Sequence, residues 1–187
     1  HEEGGRAHFM TRRFDRTDKG EKLHMQSLGA MQHYDFNQAG AYSYEQAIQT
    51  IQHLSLPAVD IEQQIRRTFF NLLARNHDDH VKNIAFLMNK RGQWRLSPAF
   101  DLAYSYNPDG AWTSRHQMSL NGKRDAFQTE DLVAFAQTAG LKKAKAMTLL
   151  REVASPLHDW KAYAAAAGVS ARDKSRIEKM FRSDLAT

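Results

Sequence analysis

At 187 residues with 42% hydrophobic content, the chain is long enough to bury a substantial core as one domain or one lobe of a larger enzyme. It has no cysteine, which excludes disulfides and thiolate metal sites and is compatible with a reducing cytosol. No apolar stretch approaches the ~18 residues of a spanning helix, and the net charge of +5 favours polyanionic partners, nucleotide phosphates among them.

In chain order, residues 7–14 (AHFMTRRF) alternate well enough for a strand, and Asp15 to Gly20 reads as a turn. Residues 22–42 are rich in Gln, Gly and His and read as irregular, with at most a short helix near Leu23 to Leu28. Ser43 with Gln46 three positions later is a capping-box signature, and Ala47, Ile48, Ile51 and Leu54 follow at helical spacing. Pro57 restarts the chain, and Ile61, Ile65, Phe69, Leu72 and Leu73 form an apolar stripe of 3.6-residue period. Ile84 to Met88, the turn Asn89-Lys90-Arg91-Gly92 and Trp94 to Leu96 predict a hairpin, ended by Pro98.

An aromatic loop, Tyr104 to Trp112, comes next, and Arg115 to Leu120 suggests another small strand. The remainder reads as helical. Gln128 or Thr129 caps a helix ending near Gly140, residues 142–166 form a helical stretch with a break at Ser155-Pro156, and Ser170 with Asp173 caps a last helix reaching about Leu185. The fold class expected is mainly α with small β-hairpins.

Chemistry concentrates around the predicted hairpin. Asp78 and Asn83 precede it, five residues apart, and Asp101 follows it, 23 residues after Asp78. A hairpin brings its two ends together, so the three become neighbours in space. In phosphoryl transfer one Asp positions the attacking hydroxyl while an Asn and a second Asp hold Mg²⁺. The order of these three oxygen-bearing residues fits that chemistry, with Asp78 as the base and Asn83 and Asp101 as metal ligands. Between them, Lys82 could neutralise phosphoryl charge and His80 could orient the loop. His77 could pack behind the loop, and Asp79 could raise the pKa of Asp78 or widen the metal shell. The cluster His77-Asp78-Asp79-His80, joined by His24, His53 and Asp101, also admits a divalent-metal phosphohydrolase.

The segment NHDDHVKNIAFL…WRLSPAFDLAYS resembles the catalytic segment of HipA-like serine/threonine kinases, the toxins of bacterial toxin–antitoxin pairs. Arg13-Phe14-Asp15-Arg16 is similar to that family's hinge after the last N-lobe strand, and Gln117 to Lys123 to a later strand and turn. The resemblance implies a kinase-like C-terminal lobe spanning 1–187, with a hinge strand segment at 7–16, catalytic and metal loops at 76–105 and a helical subdomain at 128–187. No glycine-rich phosphate loop and no strand-borne ATP lysine precede the hinge, so the N-terminal lobe is expected to be absent from this chain.

The resemblance further implies ATP and Mg²⁺ as cofactors, Asp78, His80 and Lys82 as catalytic residues, and Asn83 and Asp101 on the metal. The backbone of Arg12, Arg13 and Phe14 would hold the adenine edge, with Lys82 supporting the phosphates. The expected partners are a DNA-binding antitoxin, a protein substrate and an N-terminal kinase lobe, in the cytoplasm, with no membrane contact and no direct nucleic-acid binding. A non-catalytic module docking an antitoxin or nucleic acid is the competing expectation.

Overall fold

A computed structural model describes residues 2–187. One pair of very short strands and a small three-stranded sheet sit among helices. β1 (Glu2–Glu3) pairs antiparallel with β2 (Arg6–Ala7). β3 (His24–Ser27), β4 (Ala85–Met88) and β5 (Trp94–Leu96) form an antiparallel sheet with β4 in the middle. The hairpin register sets Phe86 opposite Leu96 and Met88 opposite Trp94. Its turn closes through the Asn89 carbonyl, which accepts from Gly92 N–H at 3.0 Å, and Gly92 has the positive φ of 76° that such a turn requires of a residue without a Cβ.

The helices follow the apolar periodicity. α2 (Tyr44–His53) begins at Ser43, whose hydroxyl accepts from Gln46 N–H while the Gln46 side chain accepts from Ser43 N–H, the expected capping box. α3 (Ala58–Leu73) buries Ile65, Phe69, Leu72 and Leu73 against α2 and the later helix α5 (Lys143–Ala154). Its first turn is fastened to β5, because buried Asp60 accepts from the Arg95 guanidinium at 2.8 and 2.9 Å and from Leu96 N–H at 3.1 Å. α4 (Thr129–Thr138) starts at Gln128, whose N–H is capped by Asp131. α5 (Lys143–Ala154) gives way to a 3-10 turn at Ser155–Asp159, where the break was expected, and then to α6 (Trp160–Ala166). Phe135 of α4 meets Tyr44 and Phe69 edge-on in the core, an arrangement that adds to their area burial.

Four stretches differ from the sequence expectation. Residues 8–14 form no strand: no described strand runs beside them, and Phe9 and Met10 are 94% and 73% exposed. Residues 22–42, expected to be irregular, hold β3 and the short helix α1 (Leu28–Gln32), because His24 to Ser27 gain backbone partners from β4, which is remote in sequence. Residues 115–120 make only isolated bridges, Ser43 to Ser119 and Leu120 to Lys123, since their backbone groups are used by other side chains and loops. The last helix, α7 (Ala171–Glu178), starts at Ser170 as expected but stops well short of Leu185. Arg182 N–H leaves the helical path to bond Leu73 O at 2.9 Å, and a 3-10 turn, Ser183–Ala186, completes the chain. Among the described residues, no helix is long and apolar enough to cross a membrane.

Candidate active site

The loop between α3 and β4 begins where Arg75 adopts φ 58° and turns the chain out of the helix. Asn76 N–H then bonds Asn71 O, its side-chain Nδ2 donates to Asn71 Oδ1 at 3.0 Å, and the same amide donates to the main-chain carbonyl of Asp101 at 3.3 Å. Asn76 Oδ1 accepts from Ser105 Oγ at 3.2 Å, and Ser105 Oγ accepts from Asp78 N–H at 2.9 Å. Asp78 O accepts from Asn83 Nδ2 at 2.9 Å. One continuous run of hydrogen bonds therefore ties the backbones of Asp78 and Asp101 and the side chain of Asn83 to buried Asn76. The hairpin does bring its two flanks together, as its length predicts.

The chemistry of these donors suits a hard cation. The Asp78 side chain is 52% exposed. Asn83 commits its amide nitrogen to Asp78 O, which leaves its Oδ1 available, and among the described residues no hydrogen-bond donor is bonded to the Asp101 carboxylate. Oxygens of an Asn and an Asp are what Mg²⁺ takes from a protein when phosphates and water complete its shell. Asp101 adopts φ 54°, an uncommon conformation for a residue with a Cβ.

Arg12, Arg13, Phe14 and Asp101 line one cleft of about 350 Å³, together with Met25 and Phe100. Phe14 packs on Phe100 with ring centroids 5.6 Å apart. Asp78 and Asn83 are not in the lining of this cleft; they reach it through the Asn76 connection to Asp101. The guanidinium of Arg13 bonds Asp15 and that of Arg12 bonds Asp18, so both side chains turn along their own segment.

The other loop residues divide between surface and core. His80 lies beside Asp78, Nε2 to Oδ1 3.8 Å, with its Nδ1 buried and unpartnered. Lys82 is exposed and holds its ammonium 3.2 Å from the centre of the Phe36 ring.

Asp79 corrects its expected role. It is buried and accepts from Tyr44 Oη at 2.6 Å, Gln117 N–H at 2.7 Å and His116 Nδ1 at 2.7 Å. Burial alone would raise its carboxyl, but His116 and the donated hydrogen bonds outweigh it and hold the pKa below the ordinary value. It neither widens a metal shell nor faces Asp78; it anchors the loop from behind. His77 also packs behind the loop, against His116 (4.0 Å) and Tyr106 (4.8 Å). Burial, then the neighbours His116 and Arg75, lower its pKa to about 3.

With His77 and Asp79 facing inward and Asp78 and His80 outward, the cluster does not converge. Among the described residues, no three His, Asp or Glu side chains gather to hold a metal, so the phosphohydrolase constellation with His24, His53 and Asp101 does not form.

Sequence reasoning missed Asn71, Asn76, Ser105, Tyr44 and His116 as the loop's supports. Their spacings of 27 to 37 residues across the contacts carry no local pattern. Asn76 and Ser105 alone stand inside the recognisable segment.

A curated Haemophilus influenzae protein named "Putative kinase" is 32% identical over 101 residues, which is 50% of this chain and 29% of that protein. HipA of a Shewanella oneidensis MR-1 toxin–antitoxin system, solved in complex with HipB and its operator DNA, has the same fold: TM-score 0.70 at 19% identity, over 93% of this chain and 46% of that one. The chain thus spans less than half the length of either relative. The HipA-like C-terminal domain family matches residues 1–161, and the chain belongs to that family.

Proposed function

We propose that the chain is the catalytic lobe of a HipA-like kinase that phosphorylates serine or threonine in a protein, using ATP and Mg²⁺. The observation that carries this reading is the hydrogen-bond run through Asn76, which fixes Asp78, Asn83 and Asp101 relative to one another beside the cleft of Arg12 to Phe14. When bound, Mg-ATP supplies the phosphoryl group and neutralises its charge.

The protein's part is positioning. Asp78 has its N–H held by Ser105 and its carbonyl held by Asn83, so its exposed carboxylate is preset to orient an acceptor hydroxyl and take its proton. Asn83 Oδ1 and the Asp101 carboxylate are the metal ligands. The backbone of Arg12 to Phe14 offers hydrogen-bonding groups to an adenine edge, and Phe14 on Phe100 supplies an apolar wall. Lys82 supports the phosphates and His80 the carboxylate. Phe9 and Met10, exposed beside the cleft, suit a second lobe seated over it. An N-terminal lobe, a DNA-binding antitoxin and a protein substrate are the partners this reading requires.

In the full-length protein, Asp78→Asn and Asp101→Asn are expected to reduce phosphotransfer by about a hundredfold or more with the melting temperature unchanged. Normal turnover by Asp78→Asn overturns the reading. Calorimetry with Mg-ATP supplies a second check: failure of the full-length protein to bind favours a docking module that has lost catalysis.

A further inference from the structure

The loop of residues 33–42 crosses in front of the catalytic loop. It leaves α1 at His33, with φ 56°, and Gly29 N–H at the start of α1 is already bonded to Val81 O at 3.1 Å. Tyr34 stacks on Tyr42 at 4.1 Å, and Tyr42 Oη accepts from Asp35 N–H at 2.8 Å. Asp35 also accepts from the backbone and side-chain amides of Asn37. Gly40 N–H bonds Gln117 O at 2.8 Å, next to the buried Asp79 anchor. A small exposed loop is thus tied down at both ends to the elements that carry Asp78 to Asn83.

At its tip stands Phe36, 40% exposed. Its ring face carries the Lys82 ammonium at 3.2 Å, and His80 meets it edge-on with centroids 5.9 Å apart. His80 in turn is the side chain beside Asp78. An ammonium on an aromatic face is held by the ring quadrupole, and more weakly than a phosphate oxygen would hold it. Such a contact localises a flexible cation without competing with an incoming anion.

We infer that Phe36 is a positioning residue for phosphoryl transfer: it holds the Lys82 ammonium in place, and the His80 ring next to Asp78, until phosphate arrives. The role rests on the proposed kinase function. Phe36 touches no reacting atom and acts through Lys82 and His80.

The test uses the full-length protein. The ε-methylene protons of Lys82 are expected upfield of other exposed lysines because they lie over the Phe36 ring, and Phe36→Leu should return them to the ordinary position. The same variant should lower kcat about two- to fivefold, the value of one exposed cation–π contact. Phe36→Trp should restore both readouts. Gly40→Ala supplies an independent perturbation: Gly40 has φ 82°, a conformation that strains any residue with a Cβ, and the added Cβ would also displace the Arg124 side chain, so the loop end is strained and the same two effects should appear without altering Phe36.

A Lys82 signal at the ordinary position in the wild type, or a Phe36→Leu kcat equal to wild type once the signal has moved, overturns the inference. Normal turnover by Asp78→Asn removes the kinase function and this role with it. The Lys82 shift would then persist, which distinguishes that failure from failure of the Phe36 contact.

Discussion

The two walls of the candidate site, the hinge segment that lines the cleft and the catalytic loop outside that lining, are built by opposite means. The hinge wall, residues 11–15, is held by surface ion pairs: Arg13 and Arg16 both reach Asp15 at 2.6 Å, and Arg12 reaches Asp18. The catalytic wall is held from inside by Tyr44, Asn71, Asn76, Asp79 and His116, all buried and bonded to one another or to the loop. Exposed pairs are screened by salt and contribute little to stability. Buried polar groups are costly to leave unpaired and, once satisfied, fix a single geometry. Rigidity is therefore invested where the proposed proton transfer and metal ligation need fixed distances. The hinge side is left adjustable.

The largest expected break in this contrast is at Asp79. Asp79→Ala would strand Tyr44 Oη, Gln117 N–H and His116 inside the core. Removing one partner of such a buried charged network costs about 3–5 kcal/mol, which for a protein of this size is a fall in melting temperature of about 6–20 °C. Differential scanning calorimetry reads it directly, and a loss of a degree or two would show that the catalytic wall does not rest on this carboxylate.

A second effect uses pH. Asp79 titrates below its unfolded value, so its contribution is present above about pH 4 and fades only as pH falls beneath that. His77 behaves oppositely in position. Its folded pKa of about 3 lies below the unfolded value of about 6.5. The unfolded chain therefore takes up a proton that the fold refuses, and stability declines as pH drops from about 6.5 toward 3. The groups facing His77 are His116, Arg75, Asp79 and Asp125, with burial the largest cause of the shift. Urea unfolding at pH 7, 6 and 5 should show this decline in the wild type and a flatter profile in His77→Gln. Equal slopes would place the titrating group elsewhere.

Much of this molecule is legible from local pattern, and the exceptions have a common cause. The Ser43–Gln46 cap, the stripe from Ile61 to Leu73 and the hairpin around Gly92 are set by neighbours in sequence, and all three form as the pattern predicts. The strand at His24–Ser27 is not, because its partner lies about 60 residues away and only tertiary pairing overrides a Gln- and His-rich composition. The same distinction runs through the site. The Asp78, Asn83 and Asp101 spacing stands out in the sequence, and the hairpin explains their proximity. The opposed facing of Asp78 and Asp79 does not stand out: two adjacent carboxylates look alike until Tyr44 and His116 claim one of them from 35 and 37 residues away. The alternation that suggests a strand at residues 7–14 is present, yet beyond Ala7, which ends β2, no described strand offers it a ladder.

The smallest expected effect lies on the hinge wall and tests the other half of the contrast. Arg13 bonds Asp15, and this bond with the charges of Arg13 and Arg16 holds the Asp15 carboxyl at about 2 despite some desolvation. Asp15→Asn removes both pairs but leaves the backbone bonds from Leu23 N–H to Asp15 O and from Thr17 N–H to Glu21 O. The segment should therefore keep its path, with no resolvable change in melting temperature. The Arg13 side chain would lose its tether, and Mg-ATP binding by the full-length protein should weaken slightly at low salt. Because salt screens the same pairs in the wild type, the two proteins should converge in affinity as ionic strength rises. A melting temperature lowered as far as in Asp79→Ala would mean that the hinge wall is as rigidly built as the catalytic one.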